Sequence, residues 1–344
     1  MGRQPLLLTM GDPTGIGPEL IISMLLQGDL ARGRLPLQVV GDLGALQKAA
    51  TVFGVRLKIH SPGEDRHELQ IGDQQLLLHA RSRLAESSLN YGRPDHHCGR
   101  AMVDYIEFAL ARCLDGSAAG MVTGPINKEA INAAGCHFPG HTELLAARCN
   151  SGPVVMMLAG SRLRVCLVTT HLAYREVPDR LSHEAILTTL RITHAALRRD
   201  FALTQPRLGV LALNPHAGEN GLFGDEEQRL IAPAVAAARS EGMSVSGPHS
   251  ADTFFHFAVQ GACDAVICMY HDQGLIPLKL LHFDNAVNVT LGLPVIRTSV
   301  DHGTAYDLAG TGSAGTGSLR AAIAMAETMA ISRTSCQQGA TSSP

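Results

Sequence analysis

The stretch that decides the fold is Asp264-Ala265-Val266-Ile267-Cys268-Met269, continued by Tyr270-His271-Asp272-Gln273-Gly274-Leu275-Ile276-Pro277-Leu278-Lys279. After Asp264 the first part is an unbroken apolar run, which reads as a strand buried on both faces and so as part of a parallel sheet. The polar cluster then falls just past the carboxyl end of a strand, where open α/β sheets bind ligands. His271 offers a metal ligand or base, Asp272 a carboxylate, Gly274 a flexible backbone and Lys279 a cation. By itself the stretch fits a plain strand-to-loop turn with solvated polar residues equally well. Two further segments built the same way favour function.

Working outward, the chain alternates strands and helices throughout. Pro5–Met10 is a short apolar strand; Gly11-Asp12-Pro13-Thr14-Gly15-Ile16-Gly17-Pro18-Glu19 follows it and leads into a helical run from Leu20 to Leu26. This turn has neither the dinucleotide glycine spacing nor the Gly-Lys-Ser/Thr of a phosphate loop. It reads as a tight turn whose glycines let the helix pack close to the sheet. Residues 55–80 alternate and suggest edge strands, and Arg100–Leu114 has the apolar spacing of an amphipathic helix. Val154–Ala159 and Leu163–Thr169 form a predicted hairpin around Gly160-Ser161, Arg180–Arg198 a long helix, and Ser318 to about Ile331 the last helix. The polar, aperiodic stretch 332–344 is expected to be disordered.

The chain's 344 residues suggest about two domains. With 45% hydrophobic and 17% charged residues it can bury a sizeable core. A net charge of -3 argues against a nucleic-acid-binding stripe or a polybasic membrane anchor. No run approaches a membrane span, and no charged segment precedes an apolar leader, so the protein is expected in the cytoplasm. The eight cysteines show no CxxC spacing and read as reduced, mostly packed thiols.

Sixteen histidines make metal chemistry worth seeking, and three stand immediately after predicted strands: His171, His216 and His271. Their separations, 45 and 55 residues (216 − 171 and 271 − 216), match one or two α/β units. Three equivalent loops then converge at one edge of a sheet, where three imidazoles suit a divalent metal and leave positions open for substrate. Asp252 and Asp272 are candidates to ligate or to orient an imidazole. The glycine-rich Asp301-His302-Gly303-Thr304 loop suits backbone contact with a phosphate or nucleotide, or is an ordinary turn.

Six long motifs occur in order: Gly11–Glu19, Gly140-His141-Thr142-Glu143, Thr169-Thr170-His171-Leu172, Asn214-Pro215-His216-Ala217-Gly218-Glu219, Tyr270–Gly274 and Arg297–Ala305. Together they resemble the PdxA family of 4-hydroxythreonine-4-phosphate dehydrogenases, over residues 5–331. The resemblance implies a two-domain α/β/α subunit akin to isocitrate and isopropylmalate dehydrogenases, with the active site in the interdomain cleft. The implied domains are 1–125 plus 295–331, and 126–294, the second carrying the metal histidines and the dimer interface. It implies a divalent metal (zinc, magnesium or cobalt) on His171, His216 and His271, and substrate contacts at His141, Thr142, Lys279, Asn288 and Arg297. The segment from His302 to Gly310 resembles the adenosine loop of those dehydrogenases, so NAD, with NADP as an option, is expected at Gly303, Thr304, Ala305, Asp307 and Gly310. Lys279 and Asp272 are the candidates to move protons. An obligate homodimer with a shared active site follows from the family as well.

The implied reaction oxidises 4-phosphooxy-L-threonine to a β-keto acid that loses carbon dioxide, a step in pyridoxal 5'-phosphate biosynthesis. One departure stands out: Phe283-Asp284-Asn285-Ala286-Val287-Asn288 lacks the glycines of the family's loop and bears on substrate choice. A four-carbon sugar-acid phosphate (D-threonate or D-erythronate 4-phosphate) is the alternative substrate. A histidine-ligated metal hydrolase and a metabolite-binding protein without turnover are the rival classes, and neither needs the 301–312 loop.

Overall fold

The computed structural model describes residues 3–138 and 140–341, with side chains through 335. Its strands, in chain order, are β1 (Leu6–Thr9), β2 (Leu37–Asp42), β3 (Lys58–His60), β4 (Arg66–Ile71), β5 (Gln74–Ser82), β6 (Gly120–Thr123), β7 (Val155–Ala159), β8 (Arg164–Leu167), β9 (Arg207–Leu211), β10 (Ser244–His249), β11 (Ala265–Cys268), β12 (Val287–Leu291) and β13 (Arg297–Val300). Its α-helices are α1 (Gly17–Leu26), α2 (Leu43–Val52), α3 (His96–Leu114), α4 (Lys128–Ala133), α5 (His141–Arg148), α6 (Val177–Arg180), α7 (His183–Phe201), α8 (Ala232–Ser240), α9 (Ala251–Ala258), α10 (His271–His282) and α11 (Gly317–Thr341). Short polar side chains start several of them. Asp42, Asp95, Asn127 and Ser182 each accept a first-turn N–H of α2, α3, α4 and α7.

The residues cluster into two units: Met1–Cys149 with Pro294–Ala330, and Asn150–Leu293 with Ile331–Pro344. In unit 1 the strand order is β13-β6-β1-β2-β5-β4-β3. The five strands from β13 to β5 run parallel, and the predicted edge strands β4 and β3 close the sheet antiparallel. The sequence reading assigned residues 126–149 to the second domain, whereas here they cluster with unit 1. The cause is packing on α3: a Cβ at Gly99 would lie 2.0 Å from the Ala130 carbonyl oxygen, so only glycine lets α4 come this close.

In unit 2 the order is β10-β9-β11-β8-β7-β12. β10, β9, β11 and β8 are parallel, and β7 pairs antiparallel with both β8 and β12, giving the predicted hairpin. Its core gathers Leu158, Val165, Leu167, Leu211, Phe254, Val266, Leu275 and Leu278. α11 extends past the predicted end at 331 and takes in 332–341, the larger part of the stretch expected to be disordered; 342–344 lie outside the described residues. Arg333 lies within that extension. Its guanidinium binds the buried Asp200 carboxylate at 2.5 Å, in a cluster shared with Arg199.

Candidate active site

The three histidines follow neighbouring parallel strands, in the spatial order β9-β11-β8. Gly209, Val266 and Val165 stand level in the sheet. His216, His271 and His171 come seven, five and six residues beyond them (216 − 209, 271 − 266, 171 − 165), so all three emerge at the carboxyl edge. The His171 and His271 rings have centroids 5.4 Å apart. His216 stands in the Pro215–Gly221 segment, whose left-handed backbone at His216, Ala217, Glu219 and Asn220 is uncommon outside glycine. Buried Glu227 holds that segment: one carboxylate oxygen accepts the Leu213 and Asn214 N–H groups, both at 2.8 Å. Among the described residues no three His, Cys, Asp or Glu side chains already stand together as a metal cage.

The decisive stretch is helical where the sequence suggested a loop. His271 is the first residue of α10 and Tyr270 precedes it as the N-cap. Gly274 serves packing rather than flexibility, because a Cβ there would stand 3.0 Å from Cys268 Sγ and 3.2 Å from Leu167 and Val165 side-chain atoms. His271 Nδ1 bonds Asp272 at 2.7 Å, and the Tyr174 hydroxyl donates to the other carboxylate oxygen at 2.8 Å. Those two bonds, His271's first, hold the Asp272 carboxyl below its ordinary range. Asp252 is likewise held low, chiefly by the Ser250 hydroxyl, with His216 adding a smaller electrostatic pull. Lys279 lies eight residues further along α10 and is half-buried, and Asn288 is the second residue of β12. In the departing segment, Ala286 is fully buried and the Asn285 side chain meets His282 at 3.1 Å.

Unit 1 supplies a different chemistry. Arg297 opens β13 and is 3% exposed, and its Nε and Nη2 donate to Thr123 Oγ1 at 3.2 and 2.9 Å. Burial lowers this guanidinium to about 10, against the pull of Glu143. His141 and Thr142 are the first two residues of α5, whose N-cap is Gly140, and a helix start carries partial positive charge. Burial, then the charges of Arg297 and Lys128, hold His141 well below its ordinary range. It is therefore a neutral imidazole at pH 7, and its buried Nε2 has no hydrogen-bond partner among the described residues. A cationic arginine, a lysine, a helix start and a neutral imidazole able to donate a hydrogen bond all suit an anionic group.

The 301–312 loop also belongs to unit 1, and the N-terminal turn holds it. Ile16 N–H donates to the Thr304 carbonyl at 3.1 Å, and the Tyr306 hydroxyl donates to Asp12 at 2.5 Å. Asn127 Nδ2 donates to the same hydroxyl at 2.7 Å. Buried Glu19 accepts the Gly310 N–H and, at 2.8 Å, the Gly312 N–H. Ala305 has φ 44, a left-handed conformation that such anchoring maintains. Gly303 has nothing within 4 Å of a would-be Cβ, leaving its backbone open to approach, and Asp307 is exposed. The sequence reading left out Asp12, Glu19, Asn127, Lys128, Tyr174 and Tyr306. For Asp12 and Glu19 a signal existed: two carboxylates inside a glycine-rich turn leading into a helix, which burial then forces into partnership.

Such a molecule is an α/β protein with a buried arginine, an imidazole and a helix start on one unit and strand-end imidazoles on the other. The chain belongs to the family described as pyridoxal phosphate biosynthetic protein PdxA, whose model matches residues 35–326. It is 56% identical, over 94% of its length and 95% of the relative's, to the 4-hydroxythreonine-4-phosphate dehydrogenase of Geobacter metallireducens. The solved structure of 4-hydroxythreonine-4-phosphate dehydrogenase from Klebsiella pneumoniae superposes with TM-score 0.82 at 39% identity, covering 95% of this chain and 99% of that one. A terephthalate 1,2-cis-dihydrodiol dehydrogenase from Burkholderia xenovorans is more distant, with TM-score 0.64 and 28% identity over 95% of this chain and 98% of that one. Among the described residues no helix is long and apolar enough to cross a membrane.

Proposed function

We propose that the chain is an NAD-dependent oxidoreductase that acts on 4-phosphooxy-L-threonine, giving a β-keto acid that decarboxylates to 3-amino-2-oxopropyl phosphate. The observation that carries the phosphorylated hydroxy-acid reading is the buried Arg297 near His141, whose Nε2 has no hydrogen-bond partner among the described residues. His141, Thr142, Arg297 and Lys279 hold the anionic ends of the substrate, and Asn288 orients it. The relatives' names support this substrate over a four-carbon sugar-acid phosphate.

His171, His216 and His271 are the residues to hold a divalent metal. The fit rests on their common strand edge, on the 5.4 Å between two of the rings, and on the His271–Asp272 bond. Asp272 accepts a hydrogen bond from Nδ1–H, which fixes the tautomer and leaves the Nε2 lone pair free to ligate. A divalent metal held by those residues would act as a Lewis acid, easing ionisation of the substrate hydroxyl and stabilising charge during decarboxylation. Gly303, Thr304, Ala305, Asp307 and Gly310 form the nucleotide loop, supported by the open backbone at Gly303 and by the anchoring described above. NAD supplies the hydride acceptor. Lys279 or Asp272 moves the proton of the reacting hydroxyl.

A second copy of the chain is the partner. Ile276, Leu280 and Phe283, spaced i, i+4 and i+7 along and just past α10, are 66%, 86% and 78% exposed, a continuous apolar stripe. It shares α10 with His271 and Lys279, which ties that face to the site. Sedimentation should find a dimer that Leu280→Glu weakens; a wild-type monomer at micromolar concentration refutes it.

The test of function is absorbance at 340 nm with NAD, a divalent cation and three separate substrates: 4-phosphooxy-L-threonine, D-threonate 4-phosphate and D-erythronate 4-phosphate. Turnover of the first is expected. Turnover of only a sugar-acid phosphate moves the substrate assignment, and release of phosphate without NADH rejects the oxidoreductase.

A further inference from the structure

We propose that unit 2 carries a second anion site, for phosphate or a phosphate monoester, at the sheet edge opposite the histidines. The amino ends of β8, β9 and β11 meet the end of α9 around a cavity of about 390 Å3. Arg162, Arg164 and Arg207 line it, with Gln260 and Asp264. The formal charge of those side chains is +2, from three arginines and one aspartate. The four residues of β8 alone put on the order of 13 Å between this edge and the carboxyl edge.

Arg164 points to a ligand. Its guanidinium stacks on the Phe201 ring at 5.1 Å and donates from Nη1 to the Asp264 carbonyl oxygen at 3.2 Å. Its Nε is buried and has no acceptor among the described residues. A buried, charged N–H without a partner is costly, so such groups are normally satisfied by protein, water or ligand. The nearest carboxylate is engaged elsewhere. Asp264 receives Nη2 and Nε of Arg207 at 3.0 and 3.3 Å and the Arg207 backbone N–H at 2.7 Å. Arg162, exposed and two residues before Arg164, adds a second cation that no ion pair consumes among the described residues. The Arg164 and Arg162 side chains line a cationic cavity that suits a tetrahedral dianion, which a guanidinium can engage with two parallel bonds.

Thermal unfolding of the full chain tests this site with inorganic phosphate, with glycerol 3-phosphate, and with sodium chloride at matched ionic strength. The background is Arg297→Met, which removes the anion-holding arginine of unit 1. On that background phosphate should still stabilise, and adding Arg164→Met should raise its half-saturating concentration at least tenfold. Arg164→Met alone should leave kcat and KM within twofold. Because that variant also loses the Phe201 stack, Arg162→Ala is the second probe, with an expected rise of at least threefold. A stronger response to glycerol 3-phosphate assigns the site to a phosphorylated metabolite, and an equal or weaker one to the free ion. An unchanged half-saturating concentration in both variants overturns the proposal.

Discussion

At His271 a neighbour chooses the chemistry of the ring. The carboxylate of Asp272 accepts from Nδ1 at 2.7 Å, and Tyr174 steadies that carboxylate from its other oxygen. Asparagine at 272 can present its amide nitrogen to the same ring atom, which removes the charge and allows the wrong tautomer. Asp272→Asn is therefore expected to weaken metal binding by about 10- to 100-fold, the usual cost of losing such a partner. Competition with a chelator measures it. Wild-type affinity would show that the carboxylate does not orient the ring. Sequence alone carried this far, because adjacency puts histidine and aspartate within reach of each other. It did not reach Tyr174, which is 98 residues away and meets Asp272 only through the fold.

At the scale of elements, the N-terminal turn and the 301–312 loop are one device. The glycines of the turn do what their spacing suggested: a Cβ at Gly17 would stand 2.0 Å from the Met10 carbonyl oxygen, so α1 closes tightly on β1. The turn also carries Asp12 and Glu19, which clasp the loop through Tyr306, Gly310 and Gly312. Burial raises the Asp12 carboxyl above its ordinary value even though Tyr306 and Thr14 oppose the shift. Tyr306→Phe removes one hydroxyl and keeps the ring. We expect NADH to bind roughly 3- to 10-fold more weakly, in line with about 1 kcal/mol for one hydrogen bond. Asp12→Asn on top should add less than its effect alone, because both act through one contact. NADH fluorescence is a clean readout because the chain has no tryptophan. Unchanged affinity in Tyr306→Phe would detach the clasp from nucleotide binding. If a bulky Gly303→Val also left affinity unchanged, the loop itself would not be the nucleotide site. Contacts some 290 residues apart along the chain have no local signature, which is why a motif reading saw the turn and the loop but not their union.

For the whole molecule, both units were legible as α/β because buried strands appear as short apolar runs followed by helical periodicity. The boundary around 126–149 was not, since it depends on a glycine in α3 that admits the Ala130 carbonyl. Nor was the end of α11, since the Arg333–Asp200 pair joins positions 133 residues apart. Folding also sets the response to acid. His79, His141, His194 and His249 all lie below their ordinary value of 6.5, each chiefly through burial. Below about pH 6.5 the unfolded chain takes up protons on these residues that the folded chain does not. Stability should therefore fall as pH drops from 7 to 5, seen as a lower urea midpoint, and His141→Gln should flatten that fall. Asp12 and Asp104 are raised, so each opposes the trend between the ordinary aspartate value of 3.8 and its own folded value. A midpoint that rises on acidification across 7 to 5 would contradict the assignment of neutral buried histidines.

We propose that three strand-end histidines hold the metal on which oxidation depends. The most direct measurement is metal content together with NADH formation from 4-phosphooxy-L-threonine, in the wild type and in His216→Ala, before and after chelation. The account predicts that chelated wild-type protein is inactive and regains activity with a divalent cation. It also predicts that His216→Ala keeps its fold, loses bound metal and falls by at least about 1000-fold in turnover, a barrier increase of about 4 kcal/mol. Near-normal NADH formation by His216→Ala with a full complement of metal would contradict it.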